Sequence, residues 1–128
     1  MRRLLAVLAI LALVAVPAWA SMYVNNAVNA TQANTAITFV DSDTSAAFYP
    51  TSVLVINDAA SANEVYVKLW RSDQTVATAT TSHTRIEPGE SMSWTFNAGV
   101  EGGQGAGYKA IALICAAGET ATVRVMAK

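Results

Sequence analysis

In Met92-Ser93-Trp94-Thr95-Phe96 a large apolar side chain stands at every second position, with a small hydroxyl residue between. Successive side chains of a strand point to opposite faces, so this period of two predicts a strand with one dry face and one wet face. The same rhythm places Val65, Val67 and Leu69 opposite Glu64, Tyr66, Lys68 and Trp70. It also places Ala121, Val123 and Val125 opposite Thr120, Thr122, Arg124 and Met126. Helical periodicity is hard to find after residue 20, where about one residue in five is Ser or Thr.

Candidate strands are Ala36–Val40, Ser52–Asn57, Glu64–Arg71, Thr75–Thr80, His83–Glu87, Ser91–Phe96, Tyr108–Cys115 and Glu119–Ala127. No helix is long enough for a parallel crossover, so the expected fold class is all-β, an antiparallel β-sandwich or jelly roll of seven or eight strands. Val53-Leu54-Val55-Ile56 and Ile111–Cys115 are apolar without interruption, which predicts two central strands covered on both faces. Pro88-Gly89 suits a type II turn. Ala116-Ala117-Gly118 is a short link and predicts a C-terminal hairpin between the strands on either side. Residues 21–34, rich in Asn, Ala and Thr, read as a loose arm or an edge strand, which leaves 35–128 as the sandwich domain.

The 53% hydrophobic content is concentrated at the start of the chain. Arg2 and Arg3 precede an apolar run from Leu4 to Val16, and Pro17-Ala18-Trp19-Ala20 closes it with small residues at the positions a signal peptidase reads. This predicts a hydrophobic signal helix over 1–20, cleaved between Ala20 and Ser21, and hence a secreted, periplasmic or surface-exposed product. As a retained anchor the run is short, since thirteen residues of helix span about 20 Å against a hydrocarbon core of about 30 Å. If kept, it would serve as a membrane tether or an assembly segment.

Without Arg2 and Arg3, six basic residues (Lys68, Arg71, Arg85, Lys109, Arg124 and Lys128) face nine acidic ones. No basic stripe is present for phosphate, so neither nucleic acid nor an anionic bilayer is an expected partner. Cys115 is the only cysteine, which excludes an intramolecular disulfide. Its place in Ile111–Cys115 suits a buried thiol, with an intermolecular bridge as the other reading.

Candidate chemistry is sparse. His83 is the only histidine, in the polar stretch Ala79–Thr84, and reads as an exposed residue at a strand end. One histidine and one cysteine exclude multi-histidine zinc and two-histidine copper sites. Asp41-Ser42-Asp43-Thr44 has the oxygen spacing calcium accepts but lacks the glycine and bidentate glutamate of an EF-hand. Gly102, Gly103, Gly105 and Gly107 lead into a strand rather than a helix, which fits a surface loop better than a phosphate cradle. No pair of carboxylates is singled out for glycoside hydrolysis. The expectation is no enzyme, no metal and no cofactor. Tyr66, Lys68 and Trp70 share the predicted outward face of one strand. They are the candidate surface for a protein partner or, with a possible contribution from Trp94, for stacking on sugar rings.

From Pro50 onward the order runs Pro50-Thr51-Ser52-Val53-Leu54-Val55-Ile56-Asn57-Asp58, Glu64-Val65-Tyr66-Val67, Ile86-Glu87-Pro88-Gly89-Glu90-Ser91, Gly107-Tyr108-Lys109-Ala110-Ile111, and Ile114-Cys115-Ala116-Ala117-Gly118-Glu119-Thr120-Ala121-Thr122-Val123-Arg124-Val125. Over about 80 residues this resembles the small β-sandwich proteins encoded among the virion and surface genes of bacterial viruses. The resemblance implies a structural subunit that meets further copies of itself or other surface proteins, and it carries over no catalytic residue. The leader departs from what a capsid protein assembled in the cytoplasm carries, and favours an exported surface protein.

Overall fold

The computed structural model describes residues 23–33, 35–40, 45–97 and 106–128. The expected leader, Asp41–Thr44 and the glycines 99–105 lie outside the described residues. Eight strands are present: β1 (Tyr23–Thr31), β2 (Thr35–Thr38), β3 (Ser52–Asn57), β4 (Val65–Arg71), β5 (Thr84–Ile86), β6 (Ser91–Thr95), β7 (Tyr108–Ile114) and β8 (Thr120–Ala127). They form two antiparallel sheets of four, the first in the order β1-β8-β3-β6 and the second in the order β2-β7-β4-β5. No helix among the described residues is long and apolar enough to cross a membrane.

The alternation read from the sequence decides which faces are dry. Val53 and Val55 of β3, and Ala121, Val123, Val125 and Ala127 of β8, are buried. So are Val65 and Val67 of β4 and Ile111 and Leu113 of β7, and all join one apolar cluster with Phe39, Ile86 and Tyr108. Each fully buried Val or Leu contributes about 1.5–3 kcal/mol by leaving water. The two continuously apolar strands are central: β3 lies between β8 and β6, and β7 between β2 and β4. Coverage of their outer faces differs, because Ala110 and Ala112 are buried whereas Leu54 and Ile56 are half-buried.

Met92 and Trp94 pair with Val55 and Val53, so they stand on the inner face as the alternation predicts. That face is only partly dry there, because β6 is the outermost strand; Met92 is 38% exposed.

Several expectations are corrected. β7 and β8 do not form a hairpin: β7 pairs with β2 and β4, while β8 pairs with β1 and β3. The link Ala116-Ala117-Gly118 is an arch that carries the chain from one sheet to the other. Gly118 at φ +81° closes it, and the Glu119 N–H donates to Ala116 O at 3.1 Å. A short turn with a positive-φ glycine serves a hairpin or an arch equally, and here the ladder positions beside β7 are already filled. Thr75–Thr80 is not a strand. Its alternation buries only Ala79, too little apolar area to hold an edge strand in place, and the edge of β4 is taken by β5 instead. Residues 23–31, by contrast, take the edge-strand form of the reading given for 21–34, as the outermost strand of the first sheet, with Val28 and Ala30 in the core.

The Pro88-Gly89 turn has the expected form. Gly89 has φ +82°, and the Glu90 N–H donates to Glu87 O at 3.0 Å.

Candidate functional site

Tyr66, Lys68 and Trp70 stand together on the outer face of the second sheet, opposite Ile114, Ala112 and Ala110 of β7. All three are half-buried, and the two alanines beside them are fully covered. Small residues on β7 thus let the long side chains of β4 lie along the sheet rather than project from it. The Lys68 ammonium is 5.3 Å from the centroid of the Trp70 ring, a cation–π contact worth about 0.5–1 kcal/mol. The Tyr66 hydroxyl donates to Glu64 Oε1 at 2.9 Å. That bond to a carboxylate holds the phenol above its ordinary pKa, because ionisation would set two negative charges side by side. Arg85 completes the cluster, 3.9 Å from Glu64 and 2.8 Å from Glu87. The three residues singled out in the sequence are therefore adjacent; the Tyr66 hydroxyl and the Lys68 ammonium are engaged by their neighbours, whereas the Trp70 indole Nε1 is buried without a hydrogen-bond partner among the described residues. Trp94 is not among them; it belongs to the inner face of the other sheet.

A second group gathers where the two sheets part. β5 pairs only with Val65, Tyr66 and Val67, so β4 runs on past it without a neighbour on that side. β6 is the outermost strand of the opposite sheet. Between them lies an open cleft of about 560 Å³ lined by Val67, Lys68, Leu69, Ser82, His83, Thr84, Trp94 and Tyr108.

Tyr108 reaches this side through a bulge. Trp70 pairs with Ala110 but Arg71 pairs with Tyr108, so Lys109 is an extra residue on β7. Without it Tyr108 would follow Ala110 and Ala112 to the outer face; with it the ring turns inward, as bulges re-aim side chains. It packs edge-to-face on Phe96 at 5.7 Å.

His83 was expected at an exposed strand end. It is half-buried, and its ring is fixed by the Thr80 N–H, which donates to Nδ1 at 2.9 Å. Nδ1 is therefore the acceptor, and the neutral ring carries its proton on Nε2. Ser82 and Thr80 share a hydroxyl contact of 2.7 Å in the same turn.

Cys115 is buried, and its thiol donates to Ala30 O at 3.6 Å. Among the described residues no three His, Cys, Asp or Glu side chains converge as a metal site would need. No protein-family model matches the chain, and comparison with curated proteins finds no match.

Proposed function

We propose that this chain is an exported, non-enzymatic β-sandwich wound as a jelly roll, acting as a subunit of a surface layer, filament or virion. The observation that carries the reading is the nesting of the strand pairs. β1 pairs with β8, β2 with β7, β3 with β6 and β4 with β5, so each inner pair lies within the span of the outer one. Eight strands divided between two sheets in this way are the jelly-roll winding of virus capsid and lectin domains. The step from winding to role is an analogy of fold, since one fold serves many functions.

The outer face of the first sheet supports assembly as the mode of action. Leu54 lies directly opposite Met126 and Ser93, with Ile56 in the next row beside Ser91. Met126 is 37% exposed at a shallow depression formed with Ser52, Ala127 and Lys128. The charge of Arg124 on this face is paired with Asp58 at 2.7 Å. Covering hydroxyls, methyls and a neutralised pair costs less desolvation than covering free charges. The partner is a second copy or another surface or virion protein.

Size-exclusion chromatography with light scattering on the exported protein tests the reading. An oligomer or filament is expected, and Met126→Lys should shift it toward monomer. A strict monomer at high concentration, with no partner captured from the producing cells, would overturn it.

A further inference from the structure

We propose that the cleft between the two sheets, walled by Trp94, Tyr108 and His83, binds a neutral saccharide of one or two pyranose units. The cleft is set by the fold. β5 begins only at Thr84, which pairs with Val67, and residues 72–83 form no strand, so the edge of β4 from Lys68 onward faces β6 across an uncovered opening. Its volume, about 560 Å³, lies within the range of roughly 300–1,000 Å³ typical of small-ligand sites.

A pyranose ring presents a flat C–H face and a rim of hydroxyls. It is bound by an aromatic plate flanked by neutral donors and acceptors. Trp94 and Leu69 supply the apolar surface above the largely buried ring of Tyr108, and Ser82, Thr84 and His83 supply the polar groups. The bond from the Thr80 N–H to Nδ1 leaves Nε2 of His83 as a fixed donor. Tyr108 is held against Phe96, and Trp94 is anchored by its pairing with Val53, so the walls are set before a ligand arrives.

The lining also excludes charged ligands. Lys68 is its only Lys, Arg, Asp or Glu, and the ammonium of that residue lies over the Trp70 ring on the outer face. An anion or a cation entering the cleft would lose its hydration without gaining a counter-charge. A neutral polyol exchanges its hydrogen bonds to water for those of the hydroxyls and the imidazole.

The site is independent of the assembly reading: a monomer that binds sugar retains it, and an oligomer that ignores sugar removes it. The test is titration of the exported protein with glucose, maltose, cellobiose and chitobiose. It is followed by tryptophan fluorescence and by the indole N–H resonances, which Trp70→Phe assigns. Saturable binding of at least one sugar is expected, with the Trp94 indole signal moving and the Trp70 signal fixed. Trp70→Phe should leave affinity unchanged, whereas His83→Ala should weaken it about tenfold, the equivalent of one good hydrogen bond. The resonance shifts need no cleft variant, so a His83→Ala protein that fails to fold does not remove the test. No saturable response to any of the four sugars overturns the proposal. So does a response that moves Trp70 instead of Trp94, which would place the ligand on the outer face.

Discussion

The side-chain amide of Asn57 donates to the carbonyl of Ile86 at 3.0 Å, joining the end of β3 in one sheet to the end of β5 in the other. A second bond, also 3.0 Å, goes to Asn63 O. Asn57 is fully buried and is the only buried polar residue among those described. Its own backbone clasps the Pro88-Gly89 turn, accepting from the Gly89 N–H at 2.9 Å and donating to Glu90 O at 3.0 Å. One residue thus ties the two sheets and the turn between β5 and β6.

Asn57→Leu should destabilise the fold by about 1–3 kcal/mol, the cost of leaving buried carbonyls without a donor. Asn57→Asp should cost more, because an ionised carboxylate offers no donor and faces the carbonyl oxygens of Ile86 and Asn63. A buried acid of this kind has its folded pKa raised. The variant is therefore less unstable at acidic pH and loses stability as pH rises through the carboxylate range. Urea unfolding at acidic and neutral pH measures both effects.

Gly107 stands where β7 begins, with φ +152°, and its neighbour Tyr108 donates its N–H to Pro50 O at 2.9 Å. A Cβ there would press into the carbonyl oxygen of Tyr49 and lie 2.7 Å from that of Pro50. Gly118 is the control, with φ +81° and open space around the missing Cβ. Gly118→Ala should cost about 1–2 kcal/mol, the strain of a left-handed alanine. Gly107→Ala carries strain of similar size plus a backbone clash that no rotamer relieves, so its unfolding midpoint should fall further. Equal shifts for the two would show that the close approach to Tyr49 and Pro50 does not hold.

The parts of the fold legible in the sequence are those that depend on which face a residue occupies. The period of two in Val65–Leu69 and Ala121–Val125, and the unbroken runs at Val53–Ile56 and Ile111–Cys115, report burial directly. Burial is the largest energy in a strand. The identity of a strand's neighbour leaves a weaker trace. Nothing between Ile114 and Thr120 distinguishes an arch from a hairpin, because a positive-φ glycine serves both. β1 was hard to read because few of its described side chains reach the core: Val28 and Ala30 are buried, Tyr23 packs edge-to-face on Phe39, and the strand is paired along its length with β8.

The two candidate surfaces divide in the same way. Tyr66, Lys68 and Trp70 lie at i, i+2 and i+4, so their shared face follows from the strand alone. The cleft group comes from four separated segments. It also depends on the extra residue Lys109, which turns Tyr108 inward, and on the late start of β5 at Thr84. Neither a bulge nor the length of an edge strand has a residue signature here. His83 could have drawn more attention through Thr80 three residues earlier, a spacing that lets a turn hold the ring.

Burial pushes the Cys115 thiol above its ordinary pKa, and the nearby negative charge of Glu119 acts in the same direction. A group whose folded pKa is raised contributes its full stabilisation below the unfolded value and loses it as pH rises through the folded one. Wild-type stability should therefore decline at alkaline pH, beyond the ordinary thiol range. Cys115→Val, which fills the site without an ionisable group, should flatten that decline. Thiol labelling by a disulfide reagent should run at the rate of unfolding rather than at the rate of an exposed cysteine.

Tyr66 offers a sharper reading of its own cluster, because two neighbours act on it with opposite sign. The bond to Glu64 raises the phenol pKa, and the guanidinium of Arg85 lowers it. Glu64→Gln keeps a hydrogen-bond acceptor but removes the charge, so the phenol should titrate closer to its ordinary value. Arg85→Ala should move it the other way. Ultraviolet titration of tyrosinate, taken as the difference from Tyr66→Phe, isolates this residue from the other tyrosines. A raised folded pKa makes the contribution of Tyr66 to stability present below the ordinary phenol range and lost above it. Since the cluster lies at the surface, neither charge variant should change stability at neutral pH by more than a surface ion pair does. Identical titration of Tyr66 in both variants would show that the hydroxyl does not hold the Glu64 carboxylate in solution.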